Sequence, residues 1–126
     1  MDAKLLLVDP FGTLSVRVEA ALRRKFDLER VASSRDASGA RYEIALVTPH
    51  GEHTPSTCRE LVESGLANDV VLLGKEPSLR DAISAIRARA SDFVPDGHDP
   101  EAVLSSLEAV RERRVLSATL SRLRRD

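Results

Sequence analysis

Two uncharged apolar runs, Leu5-Leu6-Leu7-Val8 and Val70-Val71-Leu72-Leu73, constrain this chain more than any other feature. Each is far too short to cross a bilayer. Each has the length and aliphatic make-up of a strand buried on both faces, the way strands of a parallel sheet read. Between such runs, apolar residues recur at steps of three and four, so strand and helix alternate. That order predicts an α/β fold, a five-stranded parallel sheet wound with helices on both faces and ending on a long C-terminal helix. At 126 residues the chain has room for one such domain and not for two.

Residues 4–8 form the first expected strand. After Asp9-Pro10-Phe11-Gly12, Thr13 is placed to cap a helix whose Leu14, Val18, Ala21, Leu22 and Phe26 make one stripe. A second strand is weakly written at 28–32, and 33–41 leaves room for a turn or two of helix. The third strand is expected at 42–47. Thr54 with Pro55 reads as a cap and a first-position proline, Cys58, Leu61 and Val62 as a buried face, and Gly65 as the stop. The fourth strand is expected at 70–73. Ser78 and Asp81 resemble a capping box, and Leu79, Ala82, Ile83 and Ile86 form the inward stripe of the helix they open. A short fifth strand at 92–94 leads to Asp99-Pro100-Glu101, a cap, a proline and an acid at the positive end of the last helix.

That helix meets no glycine or proline before Asp126, so it can run about 39 Å at the usual rise. Val103, Leu107 and Val110 form one seam and Leu116, Leu120 and Leu123 another, with a slip of phase between them. Two readings stay open for 113–126: a frayed tail, or a coiled-coil connector.

The N-terminus lacks the charged start, apolar stretch and cleavage site of a secretory signal. The lone Cys58 allows no internal disulfide, so a cytoplasmic protein is expected. Aromatic residues make up only 3% and the net charge is −1, which argues against nucleic-acid binding. Six arginines nevertheless crowd the last segment, mixed with Glu112 and Asp126.

The element order, with Leu5-Leu6-Leu7-Val8-Asp9 near the start and Ala90-Ser91-Asp92-Phe93-Val94 near the end, resembles the receiver domain of bacterial response regulators. The likeness covers about residues 4–112 and implies a flavodoxin-like, receiver-type sheet. In that family an acidic pair after the first strand holds magnesium, and an aspartate ending the third strand accepts a phosphoryl group. A Ser or Thr ending the fourth strand and a Lys ending the fifth contact that group. On this chain those places fall on Asp9 and Pro10, on Thr48, on Gly74 and on Asp96.

The resemblance therefore implies a vestigial pocket. Magnesium loses charged ligands at Pro10 and Thr48. Asp96 sets an anion where a cation would steady phosphoryl oxygens. Thr48 holds its hydroxyl proton too tightly to imitate a carboxylate nucleophile. Phe93 keeps the aromatic position whose ring follows the missing hydroxyl.

Two chemical alternatives compete. The string Leu7-Val8-Asp9-Pro10-Phe11-Gly12-Thr13-Leu14 resembles the first motif of haloacid-dehalogenase-type phosphatases. Phe11, however, replaces their general acid, a role worth about 10²- to 10⁴-fold. The histidines His50, His53 and His98, with Asp9, Asp96 and Cys58, could form a metal or small-ligand site, although loop histidines are more often plain surface residues. Lys75 after Gly74 lacks the glycine-rich loop of a nucleotide motif.

The reading that follows is a non-catalytic, cofactor-free, phosphorylation-independent receiver-like module, one part of a larger two-component-type regulator. Its partners would be another protein, a fused output domain or a second copy. The expected contact face joins the fourth helix, fifth strand and last helix, with Phe93, Arg87, Arg89 and Arg111 on it.

Overall fold

A computed structural model describes residues 3–39, 41–75 and 79–125. The strands are β1 (Lys4–Val8), β2 (Asp27–Val31), β3 (Tyr42–Val47), β4 (Ala67–Leu73) and β5 (Asp92–Val94). They form one parallel sheet in the order β2-β1-β3-β4-β5. The helices are α1 (Val16–Lys25), α2 (Thr54–Glu63), α3 (Leu79–Arg87) and α4 (Pro100–Arg125). Between β2 and β3 the chain makes one 3-10 turn, Ser34–Asp36, in place of a full helix.

Two-residue alternation along the strands divides the core into two layers. Leu5, Leu7, Ile44, Leu46, Val71 and Leu73 face α1 and α4, where Val18, Leu22, Val103, Leu107 and Val110 are buried. Leu6, Val8, Ala45, Val47, Val70 and Leu72 face the other way, onto Cys58 and Leu61 of α2 and Ala85 and Ala88 at α3. Both sides of the sheet are thus covered, the doubly wound arrangement read from the sequence.

Local details depart from the sequence reading in four places. Thr13 does not cap α1. Its amide and hydroxyl point to Asp9 at 2.9 and 3.2 Å, and Ser15 accepts from the Val18 amide instead. Thr54 does not cap α2 either, because its hydroxyl ties a preceding 3-10 turn, Gly51–His53, by donating to the Gly51 carbonyl at 2.9 Å. Val62 is 43% exposed rather than buried.

The largest departure is α3. Leu79 and Ile86 are 79% and 77% exposed and Ile83 is 41% exposed, while Ala85 and Ala88 turn inward. Periodicity picks out the bulkiest apolar residues, but a competing alanine face lets this helix lie close against its neighbours. Ser78, expected to cap α3, lies outside the described residues.

Gly65 ends α2 in the left-handed region at φ 77°, as a C-terminal glycine should. Asp99 caps α4 by accepting from the Glu101 amide at 3.0 Å. No helix among the described residues is long and apolar enough to cross a membrane.

Candidate functional site

In an open parallel sheet a ligand crevice opens at the carboxyl ends of the strands, where the strand order reverses. Here the reversal falls between β1 and β3, so Asp9 and Thr48, the residues after those strands, meet at its centre. Thr48 donates its hydroxyl proton to Asp9 Oδ1 at 2.8 Å. Both residues are only 3% exposed.

Asp9 is a saturated carboxylate. Oδ1 also accepts from the Thr13 amide and hydroxyl, and Oδ2 accepts from the Leu14 amide at 3.1 Å and from Arg30 Nη2 at 3.0 Å. Burial alone would push its pKa up. The Thr13 and Leu14 amides, the Thr48 hydroxyl and the Arg30 charge outweigh that and hold it below the ordinary carboxylate value. Arg30 reaches on to Glu19 Oε1, also at 3.0 Å, so one guanidinium bridges two acids. A carboxylate so placed is a poor base and leaves the Thr48 hydroxyl unactivated.

Arg30 is the site residue that sequence reasoning missed. It lies in the weakly written second strand, but β2 pairs in parallel with β1 and sets Arg30 opposite Leu7, two residues before Asp9. A cation near the end of a neighbouring strand was the available signal. The magnesium position implied by the resemblance already has an internal counter-charge.

On the Gly74 side the crevice is filled. Gly74 donates its amide to the Val94 carbonyl at 2.7 Å, and its own carbonyl accepts from Gly97 at 2.8 Å. A Cβ on Gly74 would stand 2.8 Å from the Pro95 carbonyl oxygen and 2.9 Å from the Phe93 ring, so a hydroxyl side chain has no room. Phe93 has turned inward over the glycine. What remains between Thr13, Thr48, Gly74, Lys75 and His98 is about 10 Å³, no more than a single water needs.

The other candidate residues are scattered. Pro10 is half-buried beside Asp9, and Phe11 is 69% exposed. Asp96 is exposed and accepts from the His98 amide at 3.1 Å, turned into its own loop. His50 has both ring nitrogens engaged, Nδ1 donating to the Thr48 carbonyl and Nε2 against the Thr57 hydroxyl, each at 2.9 Å. His53 is exposed. Burial pushes the Cys58 thiol up to about 12, which removes it as a thiolate ligand at neutral pH. Among the described residues no three His, Cys, Asp or Glu side chains could hold a metal ion together.

The four residues expected on one contact face do not share it. Phe93 is half-buried against Gly74. Arg87 lines a groove between α2 and α3 with Pro55 and Ile83. Arg89 follows α3 at φ 56° and is exposed. Arg111 belongs to the opposite end of the sheet, with Nε 2.7 Å from Glu43 and the guanidinium 5.9 Å from the Phe26 ring centre.

No sequence-family model matches the chain, and no curated protein matches it in sequence. Solved structures do match. The response regulator DrrB of Thermotoga maritima, an OmpR/PhoB homologue, superposes with a TM-score of 0.71 at 20% identity, over 90% of this chain and 54% of its own. The signal receiver domain of an HD domain-containing protein from Pseudomonas fluorescens gives 0.75 at 16% identity, over 94% and 93%. An orphan response regulator of H. pylori gives 0.62 at 18% identity, over 86% and 95%. This chain has the receiver-type fold, and it spans little more than half the length of DrrB.

Proposed function

We propose that this chain is a receiver-like signalling module that works through protein contacts without aspartyl phosphorylation. The observation that carries the proposal is the state of Asp9. Its two oxygens already hold five donors, one of them the Arg30 guanidinium, beside a crevice of about 10 Å³. A hydrated magnesium ion and a phosphoryl group would have to displace an internal ion pair and several bonds at once. Asp9, Pro10, Thr48, Gly74 and Asp96 are then the remains of a phosphorylation pocket, retained because Asp9 ties the ends of β1, β2 and β3 together.

In this reading residues 1–112 are the receiver-like body and 113–126 extend the last helix as a connector within a larger regulator. DrrB, whose length exceeds this fold, offers the parallel. The packing of Phe93 on Gly74 supports a single state of the aromatic switch, because no hydroxyl stands at Gly74 for the ring to follow. Partners then read a fixed shape.

The test is incubation with acetyl phosphate and magnesium, followed by mass spectrometry with and without hydroxylamine. The expected mass is unchanged. A hydroxylamine-labile phosphate adduct overturns the proposal.

A further inference from the structure

We propose that the groove between the starts of β3 and β4 and the middle of α4 binds a small phosphate monoester, held by Arg41, Arg111 and Arg114. This groove lies at the amino end of the sheet, opposite the Asp9 crevice, and does not depend on how that crevice is read.

Strand pairing and helix docking bring the three arginines together. Tyr42 of β3 pairs with Ala67 of β4, which makes Arg41 and Asn68 neighbours. Arg41 donates from Nε and Nη2 to Asn68 Oδ1 at 3.2 and 2.8 Å. The docked face of α4 ends at Val110, and the turn after it carries Arg111 and Arg114 over the same strand starts. Arg111 Nε lies 2.7 Å from Glu43 Oε1, Arg114 Nε lies 2.6 Å from Asp69 Oδ2, and Arg114 Nη2 donates to the Asn68 carbonyl at 2.9 Å. All three guanidiniums are thus anchored through the Nε side. The Nη1 group of each has no protein partner among the described residues. The three line one groove of about 490 Å³, the size of a small-molecule site.

Charge and donor geometry select the ligand. The Glu43 and Asp69 side chains are 31% and 15% exposed against 47% and 50% for their arginines, so the guanidiniums stand outermost. The second oxygen of Asp69 is also engaged, accepting from the Ser91 hydroxyl at 2.7 Å. Arg41 is held by a neutral amide, which leaves the groove one cation without an acid. Unused N–H groups on three guanidiniums suit a tetrahedral group with several charged oxygens, whereas one carboxylate would occupy a single fork. The internal acceptors fix the arginines before a ligand arrives, so little side-chain order remains to be imposed. Ile44 and Val115 line the same groove and offer an apolar side to a small organic body. Tyr42 is buried with its hydroxyl on Glu29, so it presents no open ring to a nucleobase.

Phosphorus NMR of the whole chain at constant ionic strength tests the site, with inorganic phosphate and glycerol phosphate as probes. Both should bind saturably, glycerol phosphate the more tightly and with a Kd of about 1 mM or below. Arg41→Gln should weaken both at least about tenfold and leave the melting temperature of the free chain unchanged, since the bond it loses is exposed. Arg111→Gln should show the same loss. No saturation by about 10 mM, or unchanged affinity in both variants, would overturn the proposal. So would succinate binding as tightly as glycerol phosphate, or duplex DNA binding to a chain that ignores glycerol phosphate. An acyl phosphate on the chain would sink the earlier reading and leave this site standing, whereas failure to bind either probe does the reverse.

Discussion

The two ends of the sheet handle charge in opposite ways. At the carboxyl end one acid, Asp9, is sealed from water and matched by five donors. At the amino end the pairs Arg111–Glu43 and Arg114–Asp69 are close, at 2.7 and 2.6 Å, yet their arginine side chains are about half exposed. Distance alone would rank the amino-end pairs higher. Burial reverses the order, because water already serves an exposed ion and cannot serve a buried one whose partners are removed.

The largest expected effect is at the sealed end. Asp9→Ala leaves the Thr13 and Leu14 amides and the Thr48 hydroxyl without their acceptor and should cost about 3 kcal/mol in urea unfolding. A loss below about 1 kcal/mol would erase the contrast between the two ends. Acid sharpens the same point. The pKa of folded Asp9 is lowered, so the unfolded chain binds its proton first. Its stabilisation is present above the unfolded carboxylate pKa and is lost as pH falls through the folded one. The stability gap between wild type and Asp9→Ala should therefore close in acid; a gap constant down through that window contradicts the assignment.

Next comes Gly74→Ser, which places a hydroxyl where the resemblance would put one. Its Cβ meets the Pro95 carbonyl oxygen and the Phe93 ring below 3 Å. Thermal unfolding should show a cost of about 2 kcal/mol, and Phe93→Ala in the same chain should relieve part of it. A neutral Gly74→Ser would mean that the crevice is looser than its geometry.

The smallest effect belongs to the amino end. Arg114→Ala should cost about 0.5 kcal/mol and fade in high salt. The Asp69 carboxyl is buried enough for desolvation to raise its pKa, but the Arg114 and Ser91 bonds and the neighbouring charges bring it below the usual value. An Arg114→Ala loss as large as that of Asp9→Ala would break the comparison outright.

Much of the fold was legible because strands buried on both faces leave continuous apolar runs. The bounds expected for β3 and β5 agree with the structure, and β4 starts only three residues earlier, at Ala67. The filled crevice at the strand ends was legible only in part. Thr48 and Gly74 stand where the resemblance expects other groups, but they do not tell what fills the space. Arg30 arrives from 21 positions away along the chain through strand pairing, so its place near the end of a neighbouring strand was the one signal for it. The α3 face was misread because a stripe of alanines leaves a weaker hydrophobic signal than the isoleucines opposite it, although small residues permit the closest approach. Thr13 was misread because the Asp9 carboxylate competes for the groups that would otherwise begin a helix.

The strand order also decides how copies of this chain can avoid sticking together. Strands β2 and β5 hold the two open borders of the sheet. β2 carries Asp27, Glu29 and Arg30 within five residues, and β5 has only three residues before Pro95. Charge on one border, and brevity with a nearby proline on the other, discourage strand addition and the fibrous aggregation it leads to.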